Sequence, residues 1–153
     1  MAIEMANVFS RSLPLLLHRT MQAVMPPFRE IFADHDLTDQ QWRVLRAMWE
    51  LDRLSMVDLA AATVLPAPSL VGIVDRLEKR GLVSRIRSES DRRLVYLVAT
   101  DQGRALYADV EPRISAIHDD LRARATNDEW AELDRILTKI ADGAPAAKTS
   151  TAA

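Results

Sequence analysis

The sequence contains no cysteine, which excludes disulfides, thiolate metal sites and a cysteine nucleophile or redox sensor. Its four glycines form no glycine-rich loop able to cradle a phosphate. The three histidines, His18, His35 and His118, lie too far apart for a helical metal pair such as H-E-x-x-H. No run approaches the roughly 18 consecutive apolar residues of a membrane span. The start, MAIEMANVFSRS, lacks the basic-then-apolar layout of a secretory signal. Asp34-His35-Asp36 reads as a polar loop ahead of a helix, and Asp119-Asp120 as a solvated face. The expectation is a non-enzymatic protein with no cofactor, no metal and no membrane partner, located in the cytoplasm.

The formal charge is only −2, but its distribution is uneven. Between Pro66 and Ala99 seven basic residues (Arg76, Lys79, Arg80, Arg85, Arg87, Arg92, Arg93) face four acids (Asp75, Glu78, Glu89, Asp91), so this segment is +3 and the remainder −5. A basic segment on an acidic body gives an electrostatic direction, because phosphate attraction depends on the face presented.

Periodicity predicts a mainly helical chain. Leu13, Leu17, Met21, Val24, Phe28 and Ile31 fall on one helical face, which Pro26-Pro27 should kink or break. Thr38 and Gln41 make a capping box for a helix to about Glu50, with Trp42, Leu45, Met48 and Trp49 expected inward. Ser55 should cap the short helix MVDLAAAT. A further helix starts near Ala67-Pro68-Ser69, buries Leu70, Ile73, Val74 and Leu77, and ends at Gly81 as a left-handed cap. Val83 to Arg87 and Leu94 to Ala99 read as two short strands. Thr100 caps a long helix carrying Leu106, Val110, Ile114, Ile117 and Leu121, with a bend expected at Pro112. Thr126 and Glu129 form another capping box before Trp130, Leu133, Leu137 and Ile140.

Three central helices followed by a hairpin form the layout of a winged helix-turn-helix, whose second helix enters the major groove of DNA. Its face opposite the buried stripe shows Ser69, Val71, Gly72, Asp75, Arg76 and Lys79. Ser69 suits a phosphate at the helix start, and Arg76 suits a guanine edge. Gly72, costly in a helix interior by about 1 kcal/mol, suggests close approach of another backbone. At the hairpin tip, Arg92 and Arg93 suit a narrow minor groove, and Asp91 would orient one of them. The competing reading is a helical interaction module whose basic hairpin binds an acidic protein partner.

The run LVSRIRSESDRRLVYLVATDQGRALY resembles the wing of the MarR family of bacterial transcriptional regulators, with its pattern D-x-R, an alternating strand, then L-T-x-x-G. Asp91, Arg93 and Gly103 match that pattern, and Ala99-Thr100 replaces Leu-Thr. RLEKRGLVSR matches the exit of the family's recognition helix. SLPLLLHR, AVM, FR and LTDQQWRVLR are similar to the branch that regulates homoprotocatechuate degradation, which more often has Arg-Glu where this chain has Met21-Gln22. The likeness runs over about residues 10–140.

The resemblance implies a winged helix-turn-helix homodimer that binds a pseudo-palindromic operator on double-stranded DNA. In such a protein, a repressor of aromatic compound catabolism, a small effector binds between the dimerisation helices and the winged domain. His18, Arg19, Met21, Met25, Phe28, Trp42 and Arg43 are the candidates in this chain. Arg19 would pair with the carboxylate of a phenolic or aryl acid, while Trp42 and the Met/Phe group pack on its ring. Met and aromatic residues at helical spacing serve equally as core. The expected organisation is an N-terminal dimerisation helix over 10–34, the DNA-binding domain over 37–99, C-terminal dimerisation helices over 100–142, and a disordered tail over 143–153. Long apolar terminal helices agree with that assignment, since a two-fold dimer is the commonest way to bury such stripes.

Overall fold

A computed structural model describes residues 12–88 and 94–143. Seven helices are present among these residues: α1 (Leu13–Val24), α2 (Pro26–Asp34), α3 (Asp39–Glu50), α4 (Met56–Thr63), α5 (Ala67–Lys79), α6 (Asp101–Arg122) and α7 (Asn127–Asp142). Strands β1 (Val83–Arg87) and β2 (Val95–Ala99) lie between α5 and α6. The fold is a winged helix-turn-helix, mainly α with a two-stranded wing. The described residues up to Ser115 form one compact unit and those from Ala116 a second.

In the first unit, Pro26 and Pro27 end one helix and begin another. Neither has an N–H to give to the preceding turn, so α1 stops and α2 starts with both prolines in its opening positions. Thr38 and Gln41 then form the expected reciprocal cap of α3, at 3.2 and 2.9 Å. The core gathers Phe28, Ile31 and Phe32 from α2, Trp42, Val44, Leu45 and Met48 from α3, Leu59 from α4, and Val110 and Ile114 from α6.

Trp49 departs from the expected inward position. It is 40 % exposed, because its ring lies over Tyr107 of α6 at 4.6 Å between centroids and covers the rim of the core. The same tyrosine stacks on Trp42 at 5.1 Å. Tyr107 therefore sits between two indoles and joins α3 to α6, and burial raises its pKa above the ordinary tyrosine value.

β1 and β2 pair antiparallel, with Val83 opposite Ala99 and Arg87 opposite Val95. Leu54, between α3 and α4, adds a bridge to Leu97 through hydrogen bonds of 3.2 and 2.7 Å, which fixes the root of the hairpin to the helices.

α6 begins at a tight junction. Thr100 Oγ1 accepts from the Gly103 N–H at 3.0 Å and donates to the Gly81 carbonyl at 2.6 Å. The Thr100 N–H donates to the Leu82 carbonyl at 3.1 Å. A Cβ on Gly103 would lie 2.0 Å from that same carbonyl oxygen, so only glycine fits. The Thr-x-x-Gly pattern thus has a physical cause: one residue caps the helix and the other lets it touch the chain leaving α5. α6 includes Pro112 within its span.

The second unit holds the end of α6 and α7. Thr126 and Glu129 cap each other across 2.8 and 3.3 Å, and the Thr126 N–H, then its hydroxyl, holds the Glu129 carboxyl below its ordinary pKa. Trp130 Nε1 donates to the Arg122 carbonyl at 2.9 Å. No residue of α7 is buried, and Leu133, Ile136 and Ile140 are exposed. Among the described residues of the unit, none covers them.

Candidate nucleic-acid interface

The helix-turn-helix is built from α4 and α5. Ser55 and Asp58 cap α4 through a reciprocal box, in which the Asp58 N–H donates to Ser55 Oγ at 3.2 Å. The helix ends at Val64, whose φ of 54° is left-handed. That conformation crowds the Cβ of an L-residue and is rarer still for a β-branched one. It turns the chain sharply, so that Pro68 enters the first turn of α5, where a missing N–H leaves nothing unpaired. Leu70, Ile73, Val74 and Leu77 are all but completely buried. At about 2 kcal/mol for each such side chain, they fix which face of α5 is left outside.

That outer face carries Ser69, Val71, Arg76 and Lys79, all exposed, with Asp75 and Gly72 half-buried. Gly72 meets little of the protein itself. A Cβ there would stand 3.5 Å from Arg76 Nη1, and no backbone approaches it. That is an ordinary van der Waals distance, so packing within the chain does not itself require glycine at this position.

Asp75, expected among the groups facing DNA, is engaged by the protein itself. Arg85 of β1 donates from Nη2 to Asp75 Oδ1 at 2.6 Å and from Nη1 to Glu78 Oε2. The Asp75 hydrogen bond is the chief cause that raises the Arg85 pKa, with Glu78 adding to it. No role for Arg85 was evident in the sequence beyond its charge. Period-2 alternation places it with Arg87 on one face of β1, but nothing in the sequence says that α5 passes beneath it.

The exit of α5 is tied down separately. Arg80 donates to the Asp36 carbonyl at 2.6 Å and the His35 carbonyl at 3.0 Å. Gly81 follows at φ 72°, as a left-handed cap requires, and the Leu82 N–H returns to the Leu77 carbonyl at 3.0 Å. At the wing, the Ser88 N–H reaches the Leu94 carbonyl at 2.9 Å, one step beyond the named strands. Asp91, Arg92 and Arg93 lie outside the described residues.

The effector candidates separate into three groups. Phe28 and Trp42 are buried, and Trp42 is occupied by Tyr107 and by Phe32, the latter 5.9 Å away. Arg43 is exposed but engaged, with Asp39 Oδ2 at 3.0 Å and the Thr63 carbonyl at 3.3 Å. His18, Arg19 and Met21 are exposed on α1, and Met25, at the break before α2, is half-buried. The described residues offer Arg19 no ion pair. Tyr107, absent from the sequence-based candidates, joins the Trp42 cluster. The 3- and 4-residue steps from Tyr107 to Val110 and Ile114 were the available signal.

The MarR family model matches residues 35–94. The homoprotocatechuate degradative operon repressor of Escherichia coli is 35 % identical over 129 residues, covering 84 % of this chain and 87 % of that protein. The crystal structure of NadR in complex with 4-hydroxyphenylacetate superposes with a TM-score of 0.74 at 33 % identity, over 87 % of this chain and 94 % of NadR. A MarR variant from Escherichia coli complexed with operator DNA gives a TM-score of 0.74 at 27 % identity, over 86 % and 96 % of the two chains. At that identity over most of both chains, and with the family model matched across the winged helix-turn-helix, the chain belongs to the MarR family.

Proposed function

We propose that this protein is a ligand-responsive transcriptional repressor that binds a pseudo-palindromic operator as a homodimer and is released by a small aromatic carboxylate. The observation that carries the reading is the outer face of α5. It holds a hydroxyl, an apolar group and two cations exposed in a row, over a stripe that the core keeps turned away. Ser69 meets a phosphate at the helix start, Val71 meets a thymine methyl, Arg76 reads a guanine edge, and Lys79 meets the backbone. Arg92 and Arg93, oriented by Asp91, enter the adjacent minor groove. The operator complex of the related MarR variant supports this docking.

Residues 37–99 act as the DNA-binding domain, and residues 10–34 and 100–142 as the dimerisation helices. Leu13, Leu16, Leu17 and Met21 on α1, and Leu133, Ile136 and Ile140 on α7, are exposed in the single chain. A second copy covers them, which places two α5 helices about one turn of DNA apart. NadR was crystallised with 4-hydroxyphenylacetate, an aryl carboxylate. That chemistry suits Arg19 as the anion partner, with His18, Met21, Met25, Phe28, Trp42 and Arg43 around the ring. An effector that fits only the dimer with mismatched recognition helices draws the population off DNA by its differential affinity. The protein acts in the cytoplasm, without catalysis.

Fluorescence anisotropy with operator duplex tests the reading. Affinity should fall steeply as salt rises, through counterion release. Arg93→Ala should weaken binding to all sequences, whereas Arg76→Ala should also flatten sequence preference. 4-Hydroxyphenylacetate should release wild type but not Arg19→Ala. Salt-indifferent binding, or equal affinity of wild type and Arg93→Ala, would contradict it.

A further inference from the structure

α5 has a charge problem that the wing solves. Along the helix, Asp75 and Glu78 oppose Arg76 and Lys79, so the element that should face phosphates carries no net charge of its own. The next cation in the chain, Arg80, keeps its charge but is anchored to the carbonyls of His35 and Asp36 rather than to either acid. The missing positive charge comes from β1, where the single guanidinium of Arg85 holds both acids at once.

We infer that Arg85 is a positioning residue that masks the carboxylates of Asp75 and Glu78, turning α5 into a net cationic surface toward DNA. This rests on the DNA-binding reading above and deepens it. Asp75 and Glu78 stand three residues apart, hence on one side of the helix, and the planar fork of arginine engages two carboxylate groups where a lysine ammonium is a single point charge. Both of its terminal nitrogens are used inward, so Arg85 is not a free phosphate contact.

Stability does not account for the arrangement. All three side chains are a third or more exposed, and pairs of that kind contribute little in water. Their worth appears when a polyanion approaches. An unmasked carboxylate then repels the phosphates, and a helix with two of them cannot be drawn in by Arg76 and Lys79. The mask also removes Asp75 from base reading and leaves Arg76, beside Gly72, as the guanidinium that reads bases on this face.

The test uses the full-length protein and the duplex that wild type selects. Arg85→Gln keeps a hydrogen-bonding side chain but uncovers two negative charges. Its affinity should fall on the order of tenfold at low salt, and the deficit should narrow at 0.15 M salt, where screening acts within about 8 Å. The triple variant Asp75→Asn/Glu78→Gln/Arg85→Gln should recover most of the loss, which repair of a misplaced helix would not achieve. Independently of how Arg85→Gln folds, Asp75→Asn/Glu78→Gln should bind at least as tightly as wild type. Wild-type affinity in Arg85→Gln, a triple variant as weak as Arg85→Gln, or weakened binding by the double variant would each overturn the inference. Wild type that binds no duplex strikes the regulator reading instead, before any variant is compared.

Discussion

Gly103→Ala sets two physical effects of opposite sign against each other. In an ordinary helix interior the substitution stabilises by about 1 kcal/mol, because alanine is the better helix former. Here the added Cβ would lie 2.0 Å from the Leu82 carbonyl oxygen and 3.0 Å from its carbon. Those atoms are backbone and cannot swing aside as the end of a side chain would, so α6 and the α5 exit must separate by more than an ångström. Forced overpacking costs up to about 3 kcal/mol, and the Thr100 N–H bond to the same carbonyl, now 3.1 Å, is lost for about 1 kcal/mol more. After the propensity gain, the net destabilisation is about 3 kcal/mol. For a chain of this size that lowers the melting temperature by roughly 6 to 12 °C. Thermal unfolding followed by circular dichroism reads it directly. A variant that melts with or above wild type would show that helix propensity wins and that the Gly103–Leu82 contact is not a constraint.

Other outcomes follow from single residues. Val64 is 84 % exposed with φ at 54°, so Val64→Asn, which tolerates that conformation, should raise stability by about 1 kcal/mol; a lower urea midpoint would contradict the strain. Glu129 has a lowered pKa in the folded chain, so its contribution is present above the unfolded value, about 4.3, and is lost as pH falls through the folded one. Protection of the first-turn amides of α7 against hydrogen exchange, relative to the intrinsic rate at each pH, should fall over that acid range, and Glu129→Gln should remove this pH dependence.

Local chemistry was legible in the sequence, and contacts between distant elements were not. Thr38, Ser55 and Thr126 announce three helix starts because a cap is satisfied within four residues. Leu70, Ile73, Val74 and Leu77 announce the buried side of α5 because the helical period is fixed. Pro26-Pro27 and Gly81 mark helix boundaries for the same reason, since each restricts its own backbone. Val64 shows the limit: nothing in a valine announces a left-handed residue, and the surrounding turn imposes it. Trp49 and Tyr107 show another, for a helical wheel gives a direction but not what stands opposite. Arg85 reads in the sequence as one of seven cations between Pro66 and Ala99 and in the structure as the partner of two acids on α5. Only the return of β1 over that helix distinguishes the two descriptions.

In the proposed operator complex two copies of α5, set by dimer symmetry, read successive major grooves. Selection of duplexes from a random pool by the purified protein tests it most directly. The enriched sequence should be an inverted repeat whose half-site centres lie about 10 base pairs apart, with binding abolished when five base pairs are inserted between the halves. Enrichment of a single unrepeated site, or affinity indifferent to that insertion, would contradict it.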